Sequence, residues 1–156
     1  MRERRGMRRA DREITDRGAI GAILRAGEVL YLAMTDDGAP YVVPLNYGWD
    51  GECIWLHCAE EGLKLDVIAR DPRVSFAVAS EARVVPGQGC GWTTKFRSVV
   101  GFGRATLVTG EEERLRGLAE VVSHYSHEPA AITPRQAKGC AVARIDVESM
   151  TGKARE

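Results

Sequence analysis

The sequence has no CxxC pair, no histidine at zinc-ligand spacing from a cysteine, and no excess of either charge. Cys53, Cys58, Cys90 and Cys140 stand singly. That excludes a structural zinc site and, with no secretory leader at the start, implies free thiols in a reducing compartment, mostly small buried apolar groups. Lysine plus arginine equals aspartate plus glutamate, 22 against 22, so no overall field draws the chain to nucleic acid or a membrane surface, and any bound anion must be held locally. No run approaches the roughly 20 apolar residues that a bilayer span requires. GxSxG, Walker and GxGxxG signatures are also missing; "GFGRA" (101–105) precedes strand-forming residues, not a helix, which excludes a dinucleotide fingerprint.

What is present begins with "MRERRGMRRA", five arginines within nine residues and no apolar stretch behind them. Residues 1–10 are expected to form a disordered, solvated basic arm, not a secretory signal. The protein is expected in the cytoplasm, without nucleic-acid or membrane partners. Residues 11–156 have the length of one domain with its own core.

Thr15 opens a helix with an N-cap candidate, apolar Ile20, Ile23 and Leu24 at helical spacing, and Gly27 as its stop. Asp37-Gly38 and Asp50-Gly51 then punctuate β-branched and aromatic runs into three strands, an antiparallel meander. Pro44 inside the second strand requires an edge, a bulge or a ligand there. "EEGLKLDVIARDP" predicts a helix with Leu63, Val67 and Ile68 on one face, "RVSFAVAS" a strand, and 81–92 a long loop. "TTKFRSVVGFGRATLVTG" predicts a long strand bulged at Gly101 or Gly103. A helix with Leu115, Leu118, Val121 and Val122 inward follows, then a last strand from Gly139 to Met150 and a polar tail, "TGKARE". Mostly antiparallel strands with helices at the corners imply a mainly β fold: a β-barrel of about six strands with peripheral helices, since closure removes exposed edges.

Chemistry concentrates in "HCAEEGLKLD" (57–66). His57 and Cys58 end a strand, Gly62 allows close backbone approach, and Leu63-Lys64 open the next helix, where free N–H groups favour an anion such as phosphate. Glu60 and Glu61 suit the same helix end and would cap it without a ligand. In "KFRSVVGFGRA" Lys95 and Arg97 share one strand face, either a solvated face or the wall of a phosphate pocket. His124 and His127, spaced i and i+3, are surface histidines near a helix C-terminus; no third metal ligand accompanies them.

Together these pieces resemble the flavin-binding split barrels related to pyridoxamine 5′-phosphate oxidase, within them the nitroimidazole-resistance (Nim) branch. "GAPYVVPLNY", "LHCAEEGLK" and "FRSVVGFGRA" carry the likeness in that order. The resemblance implies a six-stranded antiparallel split barrel and a homodimer with flavin mononucleotide (FMN) between subunits, haem and a deazaflavin being the alternative ligands. It further implies that Val43, Pro44, Leu45 and Asn46 face the flavin ring, with His57 and Cys58 beside it. Gly62, Leu63 and Lys64 would hold the phosphate, Arg97 and Ser98 would complete the site, and His57 would be the proton donor. The oxidases carry Arg-Lys where this chain has Leu63-Lys64, and an arginine-rich end where it has "TGKARE". That excludes pyridoxamine phosphate oxidation and leaves reduction of a small electrophile, a nitroaromatic among them, or a non-catalytic flavin- or haem-sensing module.

Overall fold

The computed structural model describes residues 6–156, and the first half of the expected basic arm lies outside them. Among the described residues a single turn of 3-10 helix, Ala10–Arg12, and a two-residue strand β1 (Glu13–Ile14) precede the first α-helix. Helix α1 (Arg17–Ala26) starts where the Asp16 carboxylate accepts from the Ala19 N–H at 2.7 Å, and ends at Gly27. Its apolar stripe, Ile20, Ile23 and Leu24, is buried as the spacing predicts.

Strands β2 (Leu30–Asp36) and β3 (Ala39–Leu45) form the first hairpin. Asp37 and Gly38, φ 47° and 86°, make the tight turn that matches strand twist. β4 (Tyr47–Trp49) and β5 (Cys53–Ala59) form the second around Asp50-Gly51. The expected meander is corrected here: its middle strand breaks at Asn46 into β3 and β4, and the halves take different partners.

Helix α2 (Leu63–Arg70) buries Leu65, Val67 and Ile68. Leu63 is 47% exposed, so Leu65 takes the inward place expected of it. β6 (Arg73–Val85) runs five residues past the expected strand, through a bulge between Ser80 and Arg83 at which Glu81 has φ 54°. The loop therefore shrinks to 86–92. β7 (Thr93–Leu107) shows the expected register shift beside Gly103, but the extra residue is Glu148 on the facing strand. Helix α3 (Glu111–Ser126) buries Leu118 and Val121 and leaves Val122 exposed, against expectation. β8 (Cys140–Arg155) absorbs the expected polar tail: Gly152 pairs with Val99 on one side and Ile14 on the other.

All strands pair antiparallel, in the order β3-β2-β6-β7-β8-β5-β4, with β1 on β8. Six are long; β1 and β4 are short additions. The hydrogen-bonded path is open, yet its ends, β3 and β4, are joined through Asn46, which makes the sheet a split barrel. Its interior holds the main core around Leu30, Leu32, Ile54, Leu56, Phe76 and Val99. A second cluster, Trp55, Leu118, Val121 and Val142, fixes α3 to the outside of β5 and β8. Pro44 lies on the edge strand, where its missing N–H breaks no ladder. Three cysteines are half-buried; Cys90 is exposed, against the expectation of burial, and all four are free.

Candidate functional site

The split opens a candidate site. Tyr47 pairs with Leu56; one residue outward, at Asn46 and His57, the strands part, β3 toward β2 and β5 toward β8. Along Val43, Pro44 and Leu45 the edge of β3 that faces away from β2 has no ladder partner, so its main-chain groups are open to a ligand. His57 and Asn46 are exposed on the two lips; Cys58 is half-buried.

The turn after β5 supplies the charge. Gly62, φ 137°, bends the chain into α2 in a conformation that a side chain rarely adopts. No side chain caps α2, so Glu60 and Glu61 do not occupy its N-terminus; the Leu65 N–H donates to the Gly62 carbonyl at 2.9 Å, which leaves the Leu63 and Lys64 N–H groups for an anion. Lys64 makes no ion pair with any described residue. Burial pushes the Cys58 thiol above its ordinary value, and the nearby charge of Lys64 offsets part of that rise. Val43 to Asn46 and His57 thus flank one split, and the chain runs from His57 through Cys58 into the turn of Gly62 to Lys64.

Arg97 and Ser98 do not join that group within one chain. Arg97 stands opposite Ala154 and His57 opposite Val142, at opposite ends of β8. Arg97 pairs with Glu156 at 2.7 Å and Glu81 at 3.8 Å. It lines a cavity of about 580 Å³ with Arg83, Lys95 and Arg155. Beside it Ser80, 8% exposed, has an unpartnered Oγ. Sequence reasoning missed Arg83 and Arg155, because their stretches read as loop and tail; the adjacent β-branched residues Val84 and Val85 were the available signal. Arg104 lies elsewhere, beside Arg73 and Asp71.

His124 shares a cavity of about 390 Å³ with Asn46, on one lip of the split. Its Nε2 lies 2.8 Å from the Gly27 carbonyl, and Tyr125 donates to the Glu28 carbonyl while accepting from the Tyr47 N–H. These bonds tie the end of α3 to both the α1–β2 connection and the first residue of β4. Tyr47 in turn donates to the Leu24 carbonyl, and burial raises its phenol above its ordinary value. Among the described residues no cluster of His, Cys, Asp and Glu is placed to hold a metal ion, and no helix is long and apolar enough to cross a membrane.

Several solved structures share this architecture. A candidate 5-nitroimidazole antibiotic resistance protein from Bacteroides thetaiotaomicron is 25% identical, with 90% of this chain and 85% of that one covered at a TM-score of 0.78. A FAD-binding protein from Mesorhizobium loti is 26% identical over 93% and 98% of the two chains, TM-score 0.69. The flavocytochrome Anf3 from Azotobacter vinelandii, 20% identical over 97% and 72%, shares the fold at a TM-score of 0.79. No curated protein matches the chain. The family model described as pyridoxamine 5'-phosphate oxidase matches residues 16–154, nearly all of the described structure, and the chain belongs to that family.

Proposed function

We propose that the protein binds FMN at the split and reduces a small electrophilic molecule of the nitroaromatic class. The observation that carries this reading is a free β3 edge across the split from the His57–Cys58 strand end, which leads directly into an uncapped α2 start bearing an unpaired Lys64. These groups fit a flavin: the edge offers main-chain donors and acceptors to a flat heterocycle, and the α2 start with Lys64 suits a phosphate. The likeness to a FAD-binding protein and to a candidate nitroimidazole-resistance protein supports it.

The cofactor, when bound, supplies the redox chemistry. Lys64 and the Leu63 and Lys64 N–H groups balance the phosphate charge. Gly62 keeps the turn free of a side chain, and Leu63 projects outward. His57, exposed on the lip, delivers a proton to the substrate atom being reduced.

The site is completed by a second copy of the chain. Pro44, Tyr31, Ala77 and Val100 form one register row across β3, β2, β6 and β7 on the outer face of the sheet. Tyr31 is 51% exposed and Val42, in the adjoining row, 60%; an apolar face of this kind marks an interaction surface. A homodimer across it brings the partner's Arg97–Ser98 strand toward the split, the role that one chain alone does not give those residues.

The absorbance and mass spectra of the molecule that co-purifies with the protein test the reading. FMN bands, and saturable FMN uptake by calorimetry, are expected. A protein that takes up no flavin after reconstitution overturns it. A Soret band lost in His57→Ala or His124→Ala assigns haem instead, and preferential exchange into a deazaflavin assigns that cofactor. Bound flavin without reductant-dependent consumption of any electrophile makes the chain a sensing module.

A further inference from the structure

The cavity of about 580 Å³ where the ends of β6 and β8 meet the start of β7 gathers charge of one sign. Arg83, Lys95, Arg97 and Arg155 line it, against two carboxylates, Glu81 and Glu156. Register forces the cations together. Arg83 stands directly opposite Lys95, and Lys95 and Arg97, two apart on β7, share a face. Like charges directly opposite one another destabilise a sheet. Both carboxylates lie against Arg97, Glu156 at 2.7 Å and Glu81 at 3.8 Å, so the charge of Arg83, Lys95 and Arg155 is not balanced within the cavity. Lys95 and Arg155 are half-buried, where water and salt screen their repulsion less than at an open surface. The backbone also works against stability here: Glu81 holds φ 54° at the bulge between Ser80 and Arg83, a conformation that residues with side chains rarely adopt. Bulges re-aim the side chains around them, and strain of this kind gathers at ligand sites.

We propose that this cavity binds a nucleotide through its phosphates, with the ring of Phe96, which also lines it, against the base. The excess of two positive charges suits a phosphate dianion or a diphosphate, and guanidinium groups offer their oxygens paired donors. An aromatic ring beside the cations gives a planar base a face to stack on. The volume falls within the range of small-molecule sites, roughly 300–1,000 Å³. On a chain of zero net charge the positive field is confined to this one cavity, which favours a small anion over a nucleic-acid strand. The proposal does not rest on the reading of the split, since within one chain the cavity and His57 lie toward opposite ends of β8. A free nucleotide and the second half of a dinucleotide present the same phosphates.

Isothermal titration of the whole chain with ADP at constant ionic strength, with and without added FMN, tests the proposal. Saturable binding of one ADP per chain is expected, tighter than that of AMP, inorganic phosphate or adenosine. Lys95→Gln and Arg155→Gln change side chains outside both apolar clusters and are each expected to weaken ADP at least fivefold. Phe96→Leu is expected to remove the advantage of ADP over inorganic pyrophosphate. Because the cations repel one another, the two charge variants should melt no lower than the parent without ligand, yet gain less on adding ADP; a merely structural role gives the reverse. FAD or NADPH binding more tightly than ADP assigns the dinucleotide source, and ADP binding as tightly as either assigns the free nucleotide. No saturable uptake of ADP, unchanged affinity in both charge variants, or adenosine or a short single-stranded oligonucleotide binding as tightly as ADP overturns the proposal. So does competitive displacement of ADP by FMN, which would put both in one site. FMN uptake is read separately, so failure here leaves the reading of the split untouched.

Discussion

Tyr47 and Leu56 are the last paired residues before the barrel opens. On their far side the strands separate, and the lips carry Asn46 and His57. One register step thus divides a residue whose backbone is used by the sheet from one whose backbone is available to a ligand, and the function proposed for the chain rests on that division.

Lys64→Ala is expected to weaken FMN about tenfold or more, equivalent to roughly 1.4 kcal/mol, and Lys64→Glu to weaken it further. Riboflavin, which lacks the phosphate, should bind both variants as it binds the parent. Flavin-fluorescence titrations with the two ligands check this; equal losses for both would remove Lys64 from the phosphate.

Tyr31→Glu combined with Val42→Glu places two charges on the exposed apolar rows. Light scattering should show a dimeric parent and a monomeric variant, with FMN affinity falling in parallel. Because neither side chain is part of the core, the thermal transition of the variant monomer should remain cooperative. A variant that stays dimeric would place the interface elsewhere.

Asp50 is half-buried, which by itself would raise its pKa, but N–H donation from Cys53, Trp55 and Glu52 and the charge of Arg116 outweigh that and hold it below its ordinary value. A folded-state pKa below the unfolded one favours the ionised folded protein. The contribution is complete above the unfolded carboxylate value, about 4, and disappears as pH falls through the folded value. Asp50→Asn should therefore cost about 1–3 kcal/mol at pH 7, with the gap to the parent narrowing below about pH 4. Urea unfolding across that range reads it, and a gap independent of pH would contradict the assignment.

Gly48 lies under α3: a β-carbon there would come within 2.6 Å of the Glu120 carbonyl carbon and 2.7 Å of the Val121 nitrogen. Backbone cannot yield as a flexible side chain does. Gly48→Ala should cost about 1–3 kcal/mol by overpacking, lower the melting temperature, and loosen the α3 contacts to Tyr47 and Gly27. An unchanged melting temperature would mean that α3 shifts freely on β4.

Much of the fold was legible, because local chemistry and packing agree. The Asp37-Gly38 turn, the buried stripe of α1 and the position of Pro44 on an edge follow from residues a few places apart. The break at Asn46 did not, since whether an extended run stays with one partner is decided by strands that arrive later in the chain. "TGKARE" looked like a tail because its side chains are polar, while its backbone is used on both edges, by β7 and β1. Of the candidate site, His57 to Lys64 were legible as a cluster because they are contiguous. The same composition also suggested Glu60 and Glu61 as caps, and only the backbone shows Gly62 in the N-cap place without one. The distance between Arg97 and Lys64 depends on register along β8, which no local pattern reveals.

The place of β8 has a consequence for how the molecule is made. It lies between β7 and β5, though it is the last strand in chain order. On a ribosome, β2, β3, β6 and β7 can assemble as one sheet and β4 with β5 as a small hairpin, linked through Asn46, but no strand pairing bridges the two until β8 emerges. Until then the β3 edge and the β5 strand end beyond the lips are not held by one continuous sheet. Acquisition of the ligand pocket is therefore a late, all-or-none event, paced by long-range strand insertion and not by local structure.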